Sequence, residues 1–223
     1  MSIVGAVSAL TGSNAHNLGI KTNEEISRIA TQTKNSFLLY HVLMNQMSIN
    51  FYFREYAQVI EIYEKNEIIG VKRIIDFMRV FFVGISALSL ARDTHQAKWK
   101  DIGERCIQTM TNLASHFEWN FLNKLHLLRA ELHYLNGDLD AAEIAFMTSI
   151  ATAHRHKFIH EEALAAELYG IFLIENKCFD RGVEQLKTSL SNYAKWGADI
   201  KVKSLESFLE FVKDASRGCW NWN

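Results

Sequence analysis

The sequence predicts an all-α fold, an α-solenoid of about four stacked helix pairs closed by a C-terminal capping helix. Three observations carry this. First, a helix-turn-helix pattern is written twice between Asn120 and Glu206 at one constant offset. Asn136-Gly137-Asp138-Leu139 with Ala142, Phe146 and Thr148-Ser149-Ile150 reappears as Asn176-Lys177-Cys178-Phe179 with Gly182, Leu186 and Thr188-Ser189-Leu190. A fixed period of roughly 40 residues marks stacked supersecondary units. Second, there is no proline in 223 residues, where average usage gives roughly 11; long helices joined by short turns tolerate that absence. Third, no Ser/Gly/Pro-rich linker interrupts residues 20–213, so one repeat domain is expected.

The elements follow in order. Residues 1–20 carry no charged side chain, and Ser8 to Gly19 is rich in small and polar residues, so a loose N-terminal segment is expected, followed by a helical domain over 21–214. Thr22-Asn23-Glu24-Glu25 is a capping box that starts the first helix near Asn23. Phe37, Tyr40, Leu43, Met44 and Met47 fall at helical spacing between Ser36 and Asn50. After a turn at Arg54, the intervals to Tyr56, Val59 and Tyr63 match those from Gly137 to Leu139, Ala142 and Phe146. A small residue at the middle position lets the two helices of a pair approach, with larger neighbours filling the space beside the crossing. Ala97 to Cys106 fits the same spacing loosely, placing turns at 54, 97, 137 and 177.

Lys72 to Arg92 is apolar on nearly all sides in its middle and is expected at the centre of the stack. Gly197 reads as a helix-ending glycine. Asp199 to Lys213 is the capping helix, with a tail over 215–223 that contains Trp220 and Trp222. Those two tryptophans either fold back or mark a docking tail. Phe117, Trp119, Phe121 and Trp196 lie at turns and helix ends, where aromatic side chains wedge neighbouring repeats.

Composition excludes several classes. With 24 basic and 25 acidic residues the formal net charge is -1, so the basic footprint of a nucleic-acid or anionic-membrane binder is missing. The longest apolar run, Val80 to Ala91, falls short of the roughly 20 residues that a membrane span requires. Ile3 to Leu10 lacks the basic flank of a signal peptide. Three scattered cysteines suit a reduced compartment, and a cytoplasmic location is expected.

No motif for chemistry stands out. None of the eleven glycines begins a phosphate-cradling G-x-x-x-x-G-K-[ST] pattern, so no cofactor is expected. His160-Glu161-Glu162 reads as a polar helix start, its acidic residues near the positive end of the helix dipole. His154 and His156 would point about 200° apart on one helix, which argues against a shared metal ion. Cys106 follows Arg105, which could favour a thiolate, but a buried structural thiol is the expected role.

The repeat spacings resemble tetratricopeptide (TPR) repeats, lengthened beyond the standard unit of roughly 34 residues and lacking the usual proline. Asn120 to Lys124 leading into Leu127 to Glu131, Glu161 to Tyr169, and Tyr193 to Ala198 with Lys201 and Leu205-Glu206 resemble a particular TPR-like region. It belongs to very large multidomain signalling proteins in which protein-kinase-like and AAA-type ATPase domains precede the helices and GAF and histidine-kinase domains follow. The resemblance covers roughly residues 20–206. It implies a connector or protein-protein interaction module without catalysis of its own, whose partner is a protein, a peptide or flanking domains of a parent. The second reading, after that one, is a piece of an ATPase or histidine-kinase enzyme whose catalytic domains lie elsewhere. A purely structural spacer is a third possibility. Lys177 departs from the pattern by standing where such repeats favour glycine. If the inner helices line a groove, the spacing projects Lys124, Glu131, Tyr134, Glu167 and Ile171 onto it as partner-binding residues.

Overall fold

The computed structural model describes residues 23–66 and 76–219, and among these every regular element is an α-helix. The ten helices are α1 (Asn23–Gln32), α2 (Ser36–Tyr52), α3 (Tyr56–Asn66), α4 (Asp76–Thr94) and α5 (Ala97–His116), followed by α6 (Glu118–Leu135), α7 (Leu139–Arg155), α8 (Ile159–Glu175), α9 (Phe179–Trp196) and α10 (Asp199–Cys219). They pack mostly as consecutive antiparallel neighbours, while α2, α4, α6 and α8 also touch in succession. The loose segment over 1–20, Thr22 of the capping box, the start of the central helix at Lys72 and the Trp220–Trp222 tail lie outside the described residues. The last helix runs on to Cys219, past the Lys213 at which the periodicity ends it.

The turns follow from backbone sterics. In the four turns that join α2 to α3, α4 to α5, α6 to α7 and α8 to α9, the left-handed residues are Arg54, His95, Gly137 and Lys177, with φ of 61°, 56°, 78° and 64°. The second turn therefore sits at 95, not 97, and the four turns are almost evenly spaced along the chain. Counted from 95, the repeat positions fall on Ala97, Lys100 and Glu104, so this pair departs from the spacing that the α6–α7 and α8–α9 pairs share. The small contact residue of α5 is Gly103, where an added Cβ would lie 2.5 Å from the Leu88 side chain. Lys177 takes the left-handed conformation that glycine adopts without a Cβ penalty. Gly197 ends α9 at φ 82°, and the amide of Ala198 returns to the Tyr193 carbonyl at 3.0 Å.

The same period recurs in the packing of atoms. Gly170 of α8 and Gly182 of α9 bring two backbones together, because a Cβ on Gly182 would sit 2.8 Å from the Gly170 carbonyl oxygen. One period earlier stand Ala130 and Ala142, both fully buried. The Thr-Ser phrases are equivalent too. Ser149 Oγ donates to the Asn123 carbonyl at 2.8 Å and Ser189 Oγ to the Ala163 carbonyl at 2.7 Å, so each ties the second helix of its pair to the first helix's backbone. In α4 every residue from Phe81 to Ser89 is buried, as expected of a central helix.

One contact crosses most of the chain. Lys201, near the start of α10, donates to the Tyr52 carbonyl at the end of α2 at 2.6 Å. The Tyr52 ring also meets Tyr193 and Trp196 of α9, with centroids 6.4 and 5.7 Å away. The α2–α3 and α9–α10 pairs are therefore joined, and the part of α8 around Glu167 is covered by the chain itself.

Candidate functional site

Three of the five residues projected onto a groove do share one recess. Glu131 and Tyr134 of α6 and Ile171 of α8 line a cavity of about 360 Å³ with Arg54, Arg92, Asp93 and Glu175. Its polar groups form a chain across three helices. Arg92 of α4 donates to Glu131 at 2.8 Å, and its guanidinium lies 4.3 Å from the centre of the Tyr134 ring. The Tyr134 hydroxyl then donates to Glu175 of α8 at 2.6 Å. Burial raises the Glu131 pKa, opposed by Arg92 and reinforced by Glu175 and Asp93. The Tyr134 phenol is raised as well, by burial and by its bond to Glu175.

Glu167 is elsewhere. It is 1% exposed and accepts from Lys201 at 2.7 Å and from the Tyr193 hydroxyl at 3.0 Å, with Arg54 3.7 Å away. Its face of α8 does point inward, but α10 and the turn after α2 occupy the space, so it is not presented to an open groove. Burial lowers the Lys201 pKa while the Glu167 charge opposes the change.

Lys124 lines a second and larger recess, about 830 Å³, at the opposite ends of the inner helices. Its walls include Phe77, Met78, Leu113, Phe117, Phe121 and Phe158. Lys124 Nζ contacts Glu161 Oε1 at 2.5 Å and the Asn120 carbonyl at 2.9 Å. Asn123 Nδ2 donates to the other Glu161 oxygen at 2.5 Å, while its Oδ1 is buried without a hydrogen-bond partner. Burial works against the Glu161 charge, but His160, Lys124 and Asn123 overcome it and hold the carboxyl at about 2. Burial lowers the Lys124 pKa, with Glu161 opposing. Both charged candidates of α6, Lys124 and Glu131, are therefore committed to internal ion pairs.

The histidine cluster diverges. His154 faces Glu162 at 3.2 Å, His156 stacks on Trp119 at 4.1 Å, and His160 stacks on Trp196 at 5.2 Å. Among the described residues no three His, Cys, Asp or Glu side chains gather in a metal-binding group. Cys106 is partly buried, and burial, outweighing Arg105 and Arg79, pushes its thiol up to about 11. Trp196 packs on Tyr52 of α2 and His160 of α8, whereas Trp119 is 58% exposed and stacks on His156 at the end of α7, within its own pair. Phe117 stays 59% exposed at the mouth of the larger recess.

Arg92, Asn123, Glu161 and Glu175 were not projected from the sequence. A signal exists: the pairs Asn123–Glu161, Arg92–Glu131 and Tyr134–Glu175 are separated by 38, 39 and 41 residues, close to one repeat. Polar residues one period apart on the inner helices meet side by side. Comparison with protein-family models, curated proteins and solved structures finds no match for this chain. Among the described residues no helix is long and apolar enough to cross a membrane.

Proposed function

We propose that the chain is a TPR-like solenoid acting as a protein-binding connector of a signalling assembly, its partner a protein segment or flanking domain seated on the smaller recess. The observation that carries this reading is that successive inner helices α4, α6 and α8 each supply side chains to that one recess. A repeat stack uses its inner helices in that way to build an extended binding surface. The recess contains the carboxylates Asp93, Glu131 and Glu175 against the guanidiniums of Arg54 and Arg92. Both guanidiniums already serve internal partners, so the acidic excess favours a basic segment.

Labelled peptides rich in Lys and Arg test the reading by fluorescence polarisation. Binding should weaken with salt and fall about tenfold in the double variant Asp93→Lys/Glu175→Lys, with the helical spectrum retained. Indifference to both changes would reject the recess as the docking site. Incubation of the purified chain with labelled ATP tests the absence of catalysis. Turnover that survives repurification would reject the connector reading.

A further inference from the structure

We infer that the larger recess is a small-molecule site for an uncharged ligand with an apolar, aromatic-sized body and a hydrogen-bond-accepting end. It lies at the opposite ends of the inner helices from the peptide recess, so the two readings stand or fall separately.

The volume of about 830 Å³ is within the range of pockets that enclose a small organic molecule. Its walls are aromatic and aliphatic, from Phe77 and Met78 of α4, Leu113 of α5, Phe121 of α6, and Phe117 and Phe158 in the turns. The polar end is a built corner. Lys124 and Glu161 line the recess yet are only 4% and 8% exposed. An ammonium carries three donors, and Glu161 and the Asn120 carbonyl take two of them. The third has no oxygen or nitrogen partner, with the Phe158 ring centre 5.4 Å from Nζ, and is the one that a ligand acceptor would take. Glu161 already neutralises the ammonium from 2.5 Å away, so a ligand carboxylate would meet a paired cation and a nearby anion. A carbonyl, amide or hydroxyl carries no such penalty. The ordinary site of this type combines an apolar body with a few convergent polar groups, which is the arrangement here.

Equilibrium dialysis against 2-naphthamide, naphthalene and 2-naphthoate is the test. The amide should bind with one-to-one stoichiometry, about five- to tenfold tighter than naphthalene, as one hydrogen bond supplies, and naphthoate should bind weakest. Thr109→Trp puts an indole into the recess from an exposed wall position and should abolish amide binding with the helical spectrum unchanged. Phe117→Ala, at the exposed mouth, should weaken it three- to tenfold and serves if the tryptophan variant fails to fold. Absence of binding to the native chain, or binding that neither variant alters, overturns the site. Tightest binding by naphthoate overturns the uncharged class.

Discussion

Replacing Glu167 by glutamine should destabilise the fold more than any surface substitution. The carboxylate is 1% exposed and compensates Lys201, itself 2% exposed. In the variant the ammonium keeps the Tyr52 carbonyl but loses its counter-charge. Removing one member of a buried pair costs about 3–5 kcal/mol, because an uncompensated charge stays behind. With a urea dependence of about 2–3 kcal/mol per molar, the unfolding midpoint should fall by roughly 1–2 M. Lys201→Met should cost a similar amount, since it strips a donor from both Glu167 and the Tyr52 carbonyl. The double variant should lose clearly less than the two single losses added together, the signature of a direct coupling. Lys65→Met is the control: its partner Glu61 is one helical turn away at 2.6 Å and both side chains are largely exposed, so no measurable shift is expected. Urea curves followed by circular dichroism decide the matter. A Glu167→Gln midpoint within 0.3 M of the parent, on the order of 1 kcal/mol or less at such slopes, would refute the buried-pair argument.

Three further outcomes are expected. Glu161 is held at about 2, below the ordinary carboxylate value of 4.5, so its stabilisation is complete above pH 4.5 and is lost as the pH falls toward 2; the midpoint should drop across that window, and more shallowly in Glu161→Gln. Lys177→Gly should raise stability by up to about 1 kcal/mol by relieving the left-handed lysine, whereas Gly137→Ala should lower it by about 1–2 kcal/mol; thermal unfolding of the two variants should shift in opposite directions. Ala142→Leu, at the buried crossing equivalent to Gly182, should cost about 1–3 kcal/mol through overpacking, and an unchanged midpoint would show that the repeat register is misdrawn.

The helices and their pairing were legible because packing imposes a period. Ala142 and Gly182, like Ser149 and Ser189, recur one period apart because each meets the partner helix in the same way. The second turn was misplaced since the α4–α5 pair meets through Gly103 and Leu88, one helical turn beyond the position used by Gly182. The inner face was only half legible. Glu131, Tyr134 and Ile171 converge because neighbouring inner helices are parallel and in register. Glu167 did not join them, as its partner Lys201 is 34 residues away on a helix outside the repeat. No local pattern announces a pair between elements of different kinds. The spacing projects Lys124 and Glu131 onto a binding groove, but spacing along one helix does not show whether a neighbouring helix supplies the opposite charge.

The bond between Lys201 and the Tyr52 carbonyl spans 149 residues, and it changes how the molecule should melt. An open array of repeats frays from its ends, each unit depending on its neighbours alone. Here the α2–α3 pair and the last helix share a buried anchor, so neither end of the helix array should unzip independently of the other. During synthesis the α2–α3 pair must wait for Lys201 before that anchor can form, a long-range closure of the kind that slows folding. Hydrogen exchange should therefore show the amides of α2 and α9 opening together, and deletion of α10 should loosen the opposite end of the stack.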